Sequence, residues 1–242
     1  MIDVKRIAEM TSITRQGDGW CIGAAVSSAE MNETADLVAD WPGVMEAADL
    51  IGSTQVQGRA TMAGNLCNAG PAADSVPAMV AAGALARVTG PDGSRDVPVE
   101  DIPTGPGKTS LAPGELVTAI LLPARPANSG DAYLRFIPRT EMDIAVVGVG
   151  VALTLDASGT VTAAKAALGA VGPKVIVASD AAKALIGTKA DDAALDAFAA
   201  ACQAAATPIS DKRGTADFRK DITAVLAKRT AKIALSRAKG EA

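Results

Sequence analysis

Gly58 to Pro77 reads GRATMAGNLCNAGPAADSVP, three glycines, two prolines and several short polar residues set into an otherwise alanine-rich chain. A stretch of that composition predicts a tight loop that presents its backbone. Gly64 lets a ligand approach the main chain closely, and the peptide N–H groups around it can converge on a phosphate. A helix is expected to follow at once, with Asp74 or Ser75 as N-cap, Pro77 in the first turn where its missing N–H is tolerated, and Ala78 to Leu85 continuing. The positive end of that helix would lie beside the loop. The residues alone leave a second reading open, in which Gly64 and Gly70 are turn glycines and Asn65, Asn68 and Asp74 are loop and cap residues.

Composition narrows what such a loop could serve. The 242 residues suffice for one large domain or two ordinary ones with a proper core. Aromatics are only 2% of the chain, so Ala, Val, Leu and Ile are expected to build that core. A formal charge of −4 argues against a nucleic-acid or anionic-membrane surface and favours a small metabolite or a protein partner. Histidine is absent, which removes a Ser-His-Asp triad, a Cys-His pair and every His-containing metal site. Cys21, Cys67 and Cys202 are odd in number and far apart. They predict small buried apolar side chains rather than a disulfide framework or a four-cysteine zinc or iron–sulfur set. No charged-then-apolar leader and no run of about 18 apolar residues appears, so a soluble cytoplasmic protein without a transmembrane segment is the expectation.

Ahead of the motif, residues 12–26 predict a hairpin turning at Gln16-Gly17-Asp18-Gly19, with Trp20 to Val26 as its apolar strand. Ser27 and Ser28 can cap a helix over Ala29 to Ala39, Trp41-Pro42-Gly43 should break it, and Val44 to Ile51 can form another. After the motif, Ala78 to Val88 reads as helix turning to strand, with Gly90-Pro91-Asp92-Gly93 as a turn and Arg95 to Val99 returning. Leu116 to Leu122 is a buried strand ended by Pro123, and residues 123–130 read as a linker. Beyond it come strands at Ile144 to Leu155 and Thr160 to Leu168, then helices at Ser179 to Ile186, Asp192 to Ala206 and Thr215 to Arg237. In the last helix Phe218, Ile222, Val225, Leu226 and Ile233 form one apolar stripe. A boundary near Arg125 gives two α+β units.

Within this frame ATMAGNLCNAGPAAD, Ala60 to Asp74, resembles the second flavin-binding motif of the FAD-binding medium subunit of the molybdenum hydroxylases, the xanthine dehydrogenase and aerobic carbon monoxide dehydrogenase family. Leu50 to Ser53 before it, GPGKTSLAPGELVT (Gly105 to Thr118) and YLRFIPRTEMDIAVVG (Tyr133 to Gly148) after it resemble the same family in the same order. The likeness implies an α+β fold: an incomplete PCMH-type FAD-binding domain at residues 1–125, then a smaller α+β C-terminal domain, an antiparallel sheet with helices, at residues 126–242. It implies that Ala60, Thr61, Gly64, Asn65, Cys67 and Asn68 line the pyrophosphate and ribityl region of FAD. Asp74 would contact the cofactor further along, Val117 would border the flavin, and Arg135 would place a cation near the isoalloxazine ring, where it favours the anionic reduced flavin. Asn65 and Asn68 each offer a donor and an acceptor, whereas ionised Asp74 offers only acceptors and suits a hydroxyl. Two departures stand inside the motif: Ala63 where many members have Gly, and Gly70 where Ser is usual. A surface arginine is the other reading of Arg135, and Arg139, Glu141 and Asp143 read as a solvated strand end.

By the same resemblance this chain is an FAD-binding electron-transfer subunit of a molybdopterin-dependent dehydrogenase. A small partner subunit would carry [2Fe-2S] clusters, a large one molybdopterin, and electrons would leave to an acceptor such as NAD, oxygen or a quinone. Family members usually open with a strand and an AGGT or AGGH loop ahead of a segment similar to IDVKRIAEM, which here begins at Ile2. That difference carries the alternative expectation, a non-flavin structural or interaction subunit, or a truncated remnant, with a weakened hold on FAD. Gly107-Lys108-Thr109 matches the end of a P-loop, but the required glycine five residues earlier is Ile102 and no apolar helix follows, so an ordinary turn is expected there.

Overall fold

The computed structural model describes residues 3–140 and 142–241. In chain order the elements are β1 (Ile13–Gln16), β2 (Gly19–Gly23), α1 (Ser28–Asn32), α2 (Ala35–Asp40), α3 (Pro42–Asp49), α4 (Thr54–Gln57), α5 (Met62–Cys67), α6 (Ser75–Ala81), β3 (Leu85–Gly90) and β4 (Gly93–Pro98). They continue with β5 (Pro103–Gly105), β6 (Lys108–Thr109), β7 (Leu116–Leu122), β8 (Ser129–Phe136), β9 (Val147–Leu155), β10 (Val161–Gly169), β11 (Ile176–Val177), α7 (Ser179–Lys183), α8 (Asp192–Ala205) and α9 (Ala216–Ala238). No helix among the described residues is long and apolar enough to cross a membrane.

The first half builds an antiparallel sheet in the order β1-β2-β7-β3-β4, with β7, the apolar run bounded by Gly114 and Pro123, at its centre. The hairpin of β1 and β2 turns at Gly17, whose φ of +58° is open to glycine. Ser27 forms a full capping box with Glu30, but the expected single helix breaks at Thr34 into α1 and α2, and Pro42 opens α3 instead of merely ending its predecessor. Both tryptophans and Met31, Met45, Met62 and Met79 lie in this core, so large side chains of other types fill the space the alanines leave. Cys202 is buried as expected, whereas Cys21 and Cys67 are half-buried.

The second half builds the sheet β11-β10-β9-β8, also antiparallel, and strand alternation gives each face its own partner. Val147, Val149, Val151, Leu153 and Leu155 of β9 join the core formed with α8 and α9. The opposite face carries Tyr133 and Arg135 of β8 across from Gly150 and Gly148 of β9, which pair in turn with Ala167 and Gly169 of β10. These glycines floor the seat of α6: a Cβ at Gly150 would lie 2.5 Å from the Pro77 carbonyl oxygen, and one at Gly169 would lie 2.7 Å from the Pro77 ring. The start of α6, and with it Asp74, is thereby pressed onto the second sheet.

The apolar stripe expected on α9 packs only in part: Leu226 is buried and Ile222 and Ile233 are half-buried against the core. Phe218 and Val225 are 39% and 44% exposed, while Arg219, Thr223, Leu226, Ala227, Thr230, Ala231, Ala234 and Ala238 are buried. Small residues let the helix backbone come so near β8 that a Cβ at Gly130 would lie 2.0 Å from the Ala234 carbonyl oxygen. The buried hydroxyls of Thr223 and Thr230 donate to the carbonyls of Arg219 and Leu226, four residues back, so neither is unpaired.

Residues 123–130, expected as a linker, already enter β8 at Ser129 and are held down by side chains. Arg125 donates to Asp131 Oδ1 (3.0 Å), to the Ser129 carbonyl (2.8 Å) and to the Asp40 carbonyl. Asp131 Oδ2 accepts the Val44 N–H at the start of α3 (3.2 Å), and Arg237 of α9 donates to the Asp131 carbonyl (2.8 Å) and to both oxygens of Glu46. Burial pushes the Asp131 carboxyl above its ordinary value, even though the Arg125 ion pair, the Arg237 charge and the Val44 N–H all pull it down. A carboxyl raised in the folded state contributes most stability below its unfolded value of 3.8, and that contribution is lost as pH rises through the folded value. Asp131→Asn, which mimics the protonated form, should therefore gain on the wild type as pH rises from about 3 to about 7. Urea midpoints of both chains across that window are the measurement, and a variant that loses ground to the wild type as pH rises is the contrary result.

Candidate functional site

The motif folds as a short helix where a loop was expected. Thr61 is the N-cap of α5, its Oγ1 accepting the Gly64 N–H at 2.9 Å, and Met62, Ala63 and Leu66 turn inward. Gly64 is exposed, and a Cβ there would meet only Thr61 Oγ1 at 2.9 Å. Neither core packing nor a left-handed backbone calls for glycine at this place; its effect is to leave the outer face of the helix bare. That face borders a cleft of about 670 Å³. Thr61, Ala63, Gly64 and Cys67 at α5 form one wall with Val117 of β7; Lys5 and Arg59 bring cations to the cleft, and Asp3 and Glu115 bring carboxylates, that of Glu115 being held by Arg95. Burial raises the Cys67 thiol, so it is neutral and adds an apolar surface. Lys5 and Arg59 were absent from the candidates read from the sequence, where no motif marks them.

Asn65, Asp74 and Arg135 gather away from this wall. Asp74 occupies the N-cap position of α6 but in helical backbone, and its carboxylate caps nothing. Asn65 serves instead: its Oδ1 accepts from the N–H (3.2 Å) and the hydroxyl (2.8 Å) of Ser75. The freed carboxylate reaches β8, taking the Tyr133 hydroxyl on Oδ1 (3.0 Å) and Arg135 Nη1 on Oδ2 (2.6 Å). Arg135 is thus no surface arginine; its side chain is 7% exposed and that of Asp74 11%. Burial raises the Asp74 carboxyl, opposed by the Arg135 charge and by hydrogen bonds from Tyr133 and Arg135. Burial and the Asp74 charge push the Tyr133 phenol well above its ordinary value, so it keeps its proton and donates.

The remaining candidates sit apart. Ala60 accepts the Ser28 N–H through its carbonyl (2.9 Å), fixing the entry to α5, and Asn68 is exposed at the end of that helix. Residues 105–109 turn between β5 and β6, and Gly107 N–H donates to the Ala69 carbonyl (3.1 Å), so the P-loop-like run is a buttress under the motif. Exposed Arg139 pairs with Asp143 (3.0 Å), whose side chain is covered and also meets Arg213 (3.5 Å), and Glu141 lies outside the described residues. The motif is also tied to the second sheet where Ala170 N–H donates to the Pro71 carbonyl (2.8 Å).

Comparison with known proteins places this geometry. Residues 1–125 match the family model described as the FAD binding domain in molybdopterin dehydrogenase, and residues 132–234 match the CO dehydrogenase flavoprotein C-terminal domain. The carbon monoxide dehydrogenase medium chain of Afipia carboxidovorans is 34% identical over 239 residues, 99% of this chain and 82% of that one. A putative xanthine dehydrogenase FAD-binding subunit of Escherichia coli is 28% identical over 243 residues, 100% of this chain and 83% of its own length. Among solved structures, a carbon monoxide dehydrogenase from Hydrogenophaga pseudoflava superposes with a TM-score of 0.93 at 32% identity, covering 98% of this chain and 82% of that one. The reconstituted CO dehydrogenase from Oligotropha carboxidovorans gives 0.90 at 33% identity, over 95% of this chain and 80% of that one. With its two-domain α+β architecture and its FAD-binding domain, the chain belongs to the family of flavoprotein medium subunits of the molybdenum hydroxylases.

Proposed function

We propose that this chain holds FAD and passes electrons, received from [2Fe-2S] clusters on a small partner subunit beside a molybdopterin-bearing large one, to an external acceptor such as NAD, oxygen or a quinone, in the cytoplasm. The observation that carries the reading is the bare Gly64 face of α5, set on a cleft with two cations at its edge, in a chain whose sequence matches an FAD-binding domain. The residues present fit the group. Lys5 and Arg59 suit a diphosphate, Gly64 admits close approach to the main chain, and Cys67 and Val117 form a dry wall. Asp74 holds the Arg135 cation in place for a ligand that gains negative charge. Domain limits at 1–125 and 126–242, and roles for Ala60, Asn65 and Asn68 as further cofactor contacts, belong to the same proposal. Bound FAD would supply the one- and two-electron steps that the side chains lack. Among the described residues no three His, Cys, Asp or Glu converge, in keeping with clusters held on a partner.

The absorbance spectrum of the purified chain after FAD addition and desalting tests this. Retained, vibrationally structured flavin is the expected result, and its absence supports the non-flavin alternative. Gly64→Val fills the bare face without touching the core, so it should weaken FAD binding about 100-fold or more while shifting the denaturation midpoint by less than about 1 kcal/mol equivalent. Fluorescence titration with FAD and urea unfolding give the two numbers, and unimpaired binding would remove the cleft from consideration.

A further inference from the structure

The Asp74–Arg135 pair has a third member that nothing in the sequence announced. Tyr133, the chain's one tyrosine, stands two residues before Arg135 on the same face of β8 and is 2% exposed. Room for its hydroxyl comes from the next strand, where a Cβ at Gly148 would lie 2.5 Å from it.

Geometry at the carboxylate then differs from that of three other arginine pairs and matches the one-point pairs of Arg125 and Arg219. Arg87 meets Asp96 through two parallel bonds (2.9 and 3.0 Å), Arg95 meets Glu115 likewise (2.7 and 3.1 Å), and Arg237 takes both oxygens of Glu46. Arg135 takes only Oδ2 of Asp74, and through a single nitrogen, while Oδ1 accepts the phenol, just as Arg125 takes only Oδ1 of Asp131 where Oδ2 accepts the Val44 N–H. An arginine held end-on keeps its remaining N–H groups for another acceptor, whereas one held by two parallel bonds spends them on its partner.

We propose that Tyr133 is a positioning residue: by occupying Asp74 Oδ1 it holds Arg135 end-on, so that the guanidinium presents its other donors to an anionic or carbonyl-bearing ligand. On the reading above, on which this step rests, that ligand is the flavin ring. Reduction puts negative charge on the ring, so the presented donors favour the reduced form over the oxidised one.

Tyr133→Phe removes one hydroxyl and keeps the ring, and two measurements on the full chain test it. A crystal structure of the variant should show Asp74 turned to grip Arg135 through both oxygens; an unchanged end-on pair overturns the proposal whether or not FAD binds. In the flavin-loaded chain, reduced FAD should lose about tenfold more affinity than oxidised FAD, read as a fall of about 30 mV in the two-electron midpoint potential. The same change made in an Arg135→Lys background should add nothing, because lysine has no planar fork to present. Equal effects in both backgrounds mean Tyr133 acts only on packing, which overturns the proposal. Failure of the wild type to hold FAD, with the two-point grip present in the variant, removes the flavin reading and leaves the positioning role standing.

Discussion

Replacing Gly130 with alanine lowers the stability of the chain by about 3 kcal/mol, the upper end of what overpacking costs in a close-packed site. The added carbon would stand 2.0 Å from the Ala234 carbonyl oxygen and 2.6 Å from the Ala238 nitrogen, and both are backbone atoms of α9 that no rotamer change can move. The helix must lift off β8, and the lift spreads to the Thr230, Ala231 and Ala234 contacts packed by the same approach. For a chain of this size a loss of about 3 kcal/mol is roughly 6–12 °C in Tm. Gly58→Ala is the control, since a Cβ there meets nothing within 4 Å, and it should stay within about 0.5 kcal/mol of wild type. A Gly130→Ala chain with the wild-type Tm would mean that α9 is seated by its apolar side chains after all.

Arg135→Ala is the second large effect, about 3–5 kcal/mol at neutral pH, because it strands Asp74 as an unpaired buried carboxylate. The loss should depend on pH in a definite direction. Asp74 already titrates above its ordinary value, and removing the Arg135 charge raises it further in the folded state alone. The penalty is therefore complete above that raised value and fades as acid protonates the group, vanishing below the unfolded value of 3.8. Asp74→Asn with Arg135→Ala should recover part of the loss at neutral pH, since no charge is left to bury. Guanidinium denaturation of the two variants at neutral and acid pH separates the outcomes, and a loss constant with pH would place its origin in packing rather than charge.

Some of this was legible from residue order and some was not, for physical reasons. Leu116 to Leu122 was readable because a continuous apolar run between Gly114 and Pro123 has few other ways to fold, and α8 because Asp191 caps a regular amphipathic stretch. β8 was illegible as a strand: its start falls in the run read as a linker at residues 123–130, yet Gly130, Asp131 and Arg135 are placed by Ala234, Val44 and Asp74, all far away in sequence. The packing face of α9 was read only in part, through Ile222, Leu226 and Ile233, because alanine and threonine carry a weak hydropathy signal while allowing the nearest approach. At the site, local composition singled out Gly64, whereas Thr61 and Cys67 entered only through the family resemblance. The cations Lys5 and Arg59 carry no motif, and Tyr133 acquires its meaning only where β8, β9 and α6 meet.

The two-point contact between Arg237 and Glu46 joins residues 191 positions apart. At a synthesis rate of about 5–20 residues per second, Glu46 waits roughly 10–40 s for its partner to leave the ribosome. During that interval α3 lacks its far anchor and the glycine-marked seat for α9 on β8 is uncovered. The last helix therefore serves as a check on completeness: a chain released early displays an apolar sheet face, which chaperones and proteases can act on and which the finished protein covers.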